Sequence, residues 1–285
     1  VRKFHGITQE NLKMRIRFWN MIMVPAGAAA SLVLILALPA VSQDRQGSAP
    51  APAGSTKPVP KLSNGKPDLS GVWDHPRVGD FSKDAKGCVG TTPGCSAKAE
   101  TTEYPFTPAG KAAFEAKEKF DYGVHCLPWG YVRSWGTPYP LELIQKEDRL
   151  AILFEQNKWF HVVPTDGRKL PADLEPTWMG TSVGHWEGDT LVVETAGTNG
   201  KTWIDTAEHP HSDALKVVER FDRIDYNHLR HQVTITDEKY LTKPMTNTAI
   251  MVLMKPGQEL MEYSCEENNK EVMEGHIKDD FSRTK

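Results

Sequence analysis

The feature that most constrains this chain is a change of hydrophobic period. From Pro140 onward apolar and polar residues alternate with period two, the repeat of a strand with one buried face. Leu141–Gln145, Arg149–Gln156 and Lys158–Val163 are short runs joined by polar turns. Ser182–Glu187 and Thr190–Thr195 flank Gly188-Asp189, a hairpin turn pair. Lys216–Arg223 and Leu229–Thr236 form a second hairpin, and Thr246–Met254 and Leu260–Cys265, around Pro256-Gly257, form a third. A further strand is expected within Pro67–Trp73. Sequential hairpins build antiparallel sheets. The expected class is therefore mainly β: an antiparallel β-barrel or sandwich, calycin-like, with one short helix and long loops. Thr107 as N-cap and Pro108 at N1 open that helix, which runs to about Phe120. The sequence has no internal repeat, which weighs against a propeller.

The N-terminal residues address compartment rather than fold. Arg15 and Arg17 precede an apolar run from Phe18 to Val41, closed by Ala40-Val41-Ser42. A basic start, an apolar centre and a small-residue site describe a secretory signal peptide over residues 1–42. An uncleaved anchor is the alternative, because the run is long enough to span a bilayer. Residues 43–61, rich in Pro, Ala, Gly and Ser, read as a disordered linker, leaving 62–285 as a single β-rich domain. The expected location is periplasmic or secreted, with no membrane contact after cleavage.

Charge narrows the partners. Lys and Arg number 34 against 37 Asp and Glu, a formal net charge of −3. Residues 1–42 carry a net +4, so removing them leaves −7. That balance favours solubility and argues against nucleic acid as a partner; the expected partner is a small-molecule ligand or substrate. The four cysteines, Cys88, Cys95, Cys126 and Cys265, all follow the signal segment. An even count in an exported chain reads as disulfides. Cys88 and Cys95 frame a flexible segment that can close on itself, and Cys126 with Cys265 would then tie an early loop to the last strand. Spacing for a zinc site is poor, so no metal and no cofactor is expected.

Several segments together resemble an uncharacterised family of secreted bacterial β-rich proteins. They include Pro67-Asp68-Leu69-Ser70-Gly71-Val72-Trp73, Cys126-Leu127-Pro128, and the run from Ser182-Val183-Gly184-His185-Trp186-Glu187-Gly188-Asp189 to Thr195. Glu262-Tyr263-Ser264-Cys265-Glu266-Glu267-Asn268 completes the set. The resemblance implies export and a shared β-rich fold, and it brings no activity with it. Thr181, Thr198 and Gly200 depart from the pattern, where Asp, Phe and Asp are usual. Separately, Gly71-x-Trp73 on an opening strand is similar to the lipocalin signature.

Candidate chemistry comes from strand phase. Val217, Glu219, Phe221 and Arg223 share one phase of their strand, and Leu229, His231, Val233 and Ile235 share one phase of the next. Facing these sets together pairs Phe221 with His231 and Glu219 with Val233. Glu219 and His231 then become diagonal neighbours on the inward face, within mutual reach. A carboxylate beside an imidazole serves as an acid–base pair, or as a satisfied structural pair. His211 is a third catalytic candidate, in a loop that also holds Asp205, Glu208 and His209; a hydrogen-bonded loop is the competing reading. Arg133, Trp178, Trp186, Trp203 and Asp205 are candidate ligand-binding residues, since interleaved aromatics line pockets for apolar or aromatic ligands. The same aromatics serve equally as core plugs.

Other mechanisms lack their motifs. No Gly-x-Ser-x-Gly elbow, phosphate loop or dinucleotide fingerprint is present. The functional expectation is an exported barrel that binds a small apolar or aromatic molecule. The alternatives are a lyase, isomerase or hydrolase using the Glu/His pair, and a structural envelope protein.

Overall fold

A computed structural model describes residues 57–82, 104–116, 121–267 and 269. The signal segment 1–42, Cys88 and Cys95 lie outside the described residues. Among the described residues the nine strands are β1 Gly71–Asp74, β2 Leu141–Lys146, β3 Arg149–Phe154, β4 Phe160–Pro164, β5 Thr181–Glu187, β6 Thr190–Ala196, β7 Lys216–Arg223, β8 His228–Thr236 and β9 Met245–Leu253. They form one antiparallel sheet in the order β4-β3-β2-β1-β9-β8-β7-β6-β5. Because β4 and β5 also lie side by side, the sheet is a nearly closed barrel. Among the described residues no helix is long and apolar enough to cross a membrane.

The β4–β5 seam is joined by side chains. His161 Nε2 meets Ser182 Oγ at 2.6 Å, and Ser182 Oγ meets Thr195 Oγ1 at 2.5 Å. Gly184 allows the close approach: a Cβ there would sit 3.0 Å from Thr165 Cγ2 and 3.2 Å from Val163 Cγ1.

The β7–β8 register is the one that phase demanded, with Glu219 opposite Val233 and Phe221 opposite His231. On β7, Val217, Glu219, Phe221 and Arg223 are all buried and face the core. Inside, Leu141, Leu143, Leu150, Ile152, Leu191, Val193 and Phe221 form one apolar cluster with Trp73, Tyr131 and Trp135. Fully burying one such side chain stabilises by about 1.5–3 kcal/mol.

The last hairpin differs from expectation. Residues 260–265 form no strand. The physical reason lies where a returning strand would have to start: β8 pairs along one side of β9, and β1 takes the end of the other side through Trp73–Leu253 and Asp74–Val252. The chain beyond β9 instead runs across the barrel exterior. There the Met261 amide donates to Glu155 Oε2 at 2.9 Å, and Cys265 bonds to Cys126 with 5.5 Å between their Cα atoms. The bridge spans 139 residues. A loop of that size constrains the unfolded chain by about 5 kcal/mol in the chain-entropy account.

Helix α1 covers Pro108–Glu115, and Thr107 Oγ1 accepts from the Gly110 amide as the cap. A second helix, α2 (Tyr131–Trp135), was not foreseen, because five residues carry too little periodicity to read. All five are buried. Gly130, at φ +83°, leads into α2 where a Cβ would meet Thr202 Oγ1 at 2.3 Å, so only glycine fits. Residues 57–61, inside the expected linker, are among the described residues, and several make contacts. The Asp68 amide donates to Pro60 O at 2.9 Å, and Lys57 Nζ lies 4.8 Å from the Tyr226 ring centroid.

Candidate functional site

Two places gather polar side chains against space. The first is the barrel interior. Glu219 is fully buried, and its carboxylate accepts from two sides: His231 Nε2–H at 2.8 Å and the Tyr131 hydroxyl at 2.5 Å. Tyr131 comes from α2 and also packs against His161 of β4, with ring centroids 4.6 Å apart. Trp135, one turn further along α2, packs on His231 at 4.2 Å and on Phe154 at 5.2 Å. The helix therefore plugs the barrel. Burial and the Glu219 charge hold the Tyr131 hydroxyl well above its ordinary pKa, so it stays a donor. Burial pushes His161 down to about 4. His75 is buried nearby and also pushed down by burial; its Nδ1 lies 3.2 Å from Pro76 O, and its Nε2 has no partner.

A cavity of about 30 Å³ adjoins this network, lined by His231, Trp135, Asn247 and apolar neighbours including Phe81 and Val233. That volume accommodates a water or two and no organic ligand.

The second place is the barrel end where β7 turns into β8. A groove of about 660 Å³ opens between residues 57–72, the turn at Tyr226–His228, and the chain leaving β9 at Val252–Gln258. Arg223, the last inward residue of β7, forms part of its wall. The guanidinium donates to Asp68 O, and to Tyr226 O at 2.7 Å, and lies 5.0 Å from the Trp73 ring centroid. His228 Nδ1 bonds both oxygens of Asp225, at 3.0 and 2.8 Å. Asp225 also accepts from the Asn227 and His228 amides, a side-chain turn that fixes the loop. Burial alone would raise the Asp225 carboxyl, but the hydrogen bond from His228 and those amide bonds outweigh it and hold it below its ordinary value.

The other candidate residues do not converge. His211 is buried rather than exposed: Nδ1–H donates to Ser212 O at 2.9 Å and Nε2 accepts from Thr202 Oγ1 at 2.7 Å. Burial lowers its pKa, so the ring is held neutral between its two partners and away from both cavities. Arg133 pairs bidentately with Asp121 and lies 4.1, 5.1 and 5.2 Å from the rings of Trp129, Tyr122 and Trp203. That cage engages both terminal nitrogens of the cation and the face of Trp203. Asp205 accepts from the Phe81 amide at 2.7 Å and from His209 Nδ1 at 2.8 Å, and His209 stacks on Tyr104 at 3.8 Å. Asp80, Asp205 and His209 each place one ligand atom within 4.8 Å of the others, and a hydrogen bond already joins Asp205 to His209. Trp178 and Trp186 are half-buried, and Trp186 packs on the main core. None of Arg133, Trp178, Trp186, Trp203 and Asp205 lines either cavity.

Sequence reasoning missed Tyr131, His161, Ser182, the Asp225–His228 pair and the groove. Arg223 carried a signal, since it shares the inward phase of Glu219 and Phe221. Comparison with protein-family models, with curated proteins and with solved structures finds no match.

Proposed function

We propose that this is an exported barrel protein that binds a small molecule with an apolar or aromatic body, and that the binding place is the groove at the β7–β8 end. The observation that carries this reading is a contrast of volumes. The plugged interior offers about 30 Å³, whereas the groove offers about 660 Å³. Small-molecule sites occupy roughly 300–1,000 Å³. The groove walls include Pro60, Val72, Val252, Leu253 and Met254, an apolar surface interrupted by a few polar groups. Export draws support from the signal-like N-terminus and from the Cys126–Cys265 bridge, because disulfides persist in oxidising compartments.

The interior Tyr131–Glu219–His231 chain favours a second reading, acid–base catalysis on a very small substrate such as water. Its geometry suits proton transfer, but the adjoining space limits what it reaches.

The test uses Nile red, a neutral dye that brightens in apolar sites. Brightening with the wild-type protein, lost in Met254→Trp at an unchanged unfolding midpoint, is the expected result. Equal brightening in both proteins, or none in the wild type, overturns the assignment.

A further inference from the structure

We infer that the groove takes an anionic amphiphile: a small organic monocarboxylate whose apolar body lies along Val72, Leu253 and Met254 and whose carboxylate meets the cationic side chains around Arg223. This rests on the binding reading above and adds the ligand's charge.

The argument begins with an unbalanced cation. Arg223 is 8% exposed, yet no carboxylate lies within ion-pair distance of it among the described residues. It spends one N–H each on two backbone carbonyls, and Nε–H has no partner. Taking a charged group out of water is costly unless an opposite charge or full hydrogen bonding compensates it. Here the compensation is partial: carbonyl dipoles, the Trp73 face at 5.0 Å, the Tyr226 face at 5.7 Å, and the fields of Asp68 and Asp225 beyond ion-pair distance, which burial outweighs.

The lining repeats the imbalance. Its charged side chains are Lys57, Arg223 and Lys255 against one carboxylate, Asp68. Asp68 Oδ1 is already committed to the Ser70 amide at 2.9 Å. Asp225, outside the lining, is engaged by His228. Lys255 is exposed at the mouth, and its ammonium has no partner among the described residues. A cationic groove on a chain of formal net charge −3 is a local arrangement rather than a by-product of overall composition. Cations clustered beside apolar walls match a ligand with one charged end and one apolar end.

The experiment is calorimetric titration of the wild-type chain with 4-phenylbutyrate and octanoate, each beside its neutral primary amide. The expected result is carboxylate binding at least about tenfold tighter than amide binding, a preference of about 1.4 kcal/mol. Lys255→Gln should shrink that preference severalfold, with no change in unfolding midpoint. Arg223→Gln should abolish the preference, but the residue is buried and its loss threatens folding. The exposed Lys255 variant therefore decides the matter. Equal affinity for acid and amide overturns the anionic assignment while leaving the groove as a binding place. An acid preference untouched by Lys255→Gln places the anion elsewhere and also overturns it. If neither acid nor amide binds while Nile red still does, the monocarboxylate class is wrong. If Nile red fails as well, the binding reading itself has failed.

Discussion

Two histidines on β8, three positions apart, occupy opposite surroundings. His231 bonds Glu219 of the neighbouring strand, with side chains 3% and 0% exposed. His228 bonds Asp225 of its own turn, with side chains 10% and 19% exposed. The interior partner comes from across the sheet and is shut in by α2, so that pair locks strand to strand and helix to barrel. The rim partner is local, so the second pair shapes a turn and leaves the groove beside it reachable. The same two residue types thus serve packing in one place and presentation in the other, and the source of the carboxylate decides which.

The comparison breaks most readily at Glu219. Glu219→Ala removes the acceptor of both Tyr131 and His231 and leaves two buried donors unpaired. Removing one partner of a buried pair costs about 3–5 kcal/mol. Urea unfolding should show a loss of that size, and one below about 1 kcal/mol would mean the interior is wetter than described.

Acid should act on the interior next. His161, pushed down to about 4 by burial, is neutral when folded, whereas the unfolded chain takes up a proton near the ordinary value of 6.5. Between those values the unfolded chain binds more protons, so stability rises with pH across the window and is lost as pH falls through it. The full loss is about 3 kcal/mol. His75 and His211, also pushed down by burial, act with the same sign. Unfolding midpoints measured from pH 7 to pH 4 should fall more gently in His161→Gln than in the wild type; parallel curves would refute the assignment to this residue.

The smallest effect belongs to the rim. In His228→Gln, Asp225 keeps its two backbone amides and some contact with water, so the cost should stay below about 1 kcal/mol. A cost matching that of Glu219→Ala would erase the distinction between the two pairs.

The strands of this barrel were legible because one buried face imposes period two, and period two fixes register. Once Phe221 had to face His231, Glu219 had to lie inside. The same logic extended to Arg223, whose place in the inward phase was visible while its role at a barrel end was not. The plug was illegible. Tyr131–Trp135 is one turn of helix, and nothing in its sequence says that a tyrosine hydroxyl will meet a carboxylate 88 residues later. Residues 260–265 misled for the opposite reason: their alternation suits a strand, but β1 holds Val252 and Leu253, the end of β9 where their hairpin would have to begin. The aromatic and loop candidates failed because residue type does not give direction. Arg133 and Trp203 do meet, but against each other.

The ring has its own consequence for how the chain assembles. Every backbone ladder but one joins strands consecutive in sequence, and the exception, β1 with β9, is a clasp of two residue pairs. Hairpins of neighbouring strands form in microseconds, whereas contacts between distant parts of a chain wait on loop closure. The molecule is thus two ribbons, β2–β4 and β5–β9, built on local connections, with β1 added to the first across the long connection of residues 75–140. They are fastened late, on one side by a four-residue strand and on the other by side chains alone. The slow step is the meeting of two finished ribbons, and the groove, walled by the start of β1 and the exit from β9, takes shape only when that clasp shuts.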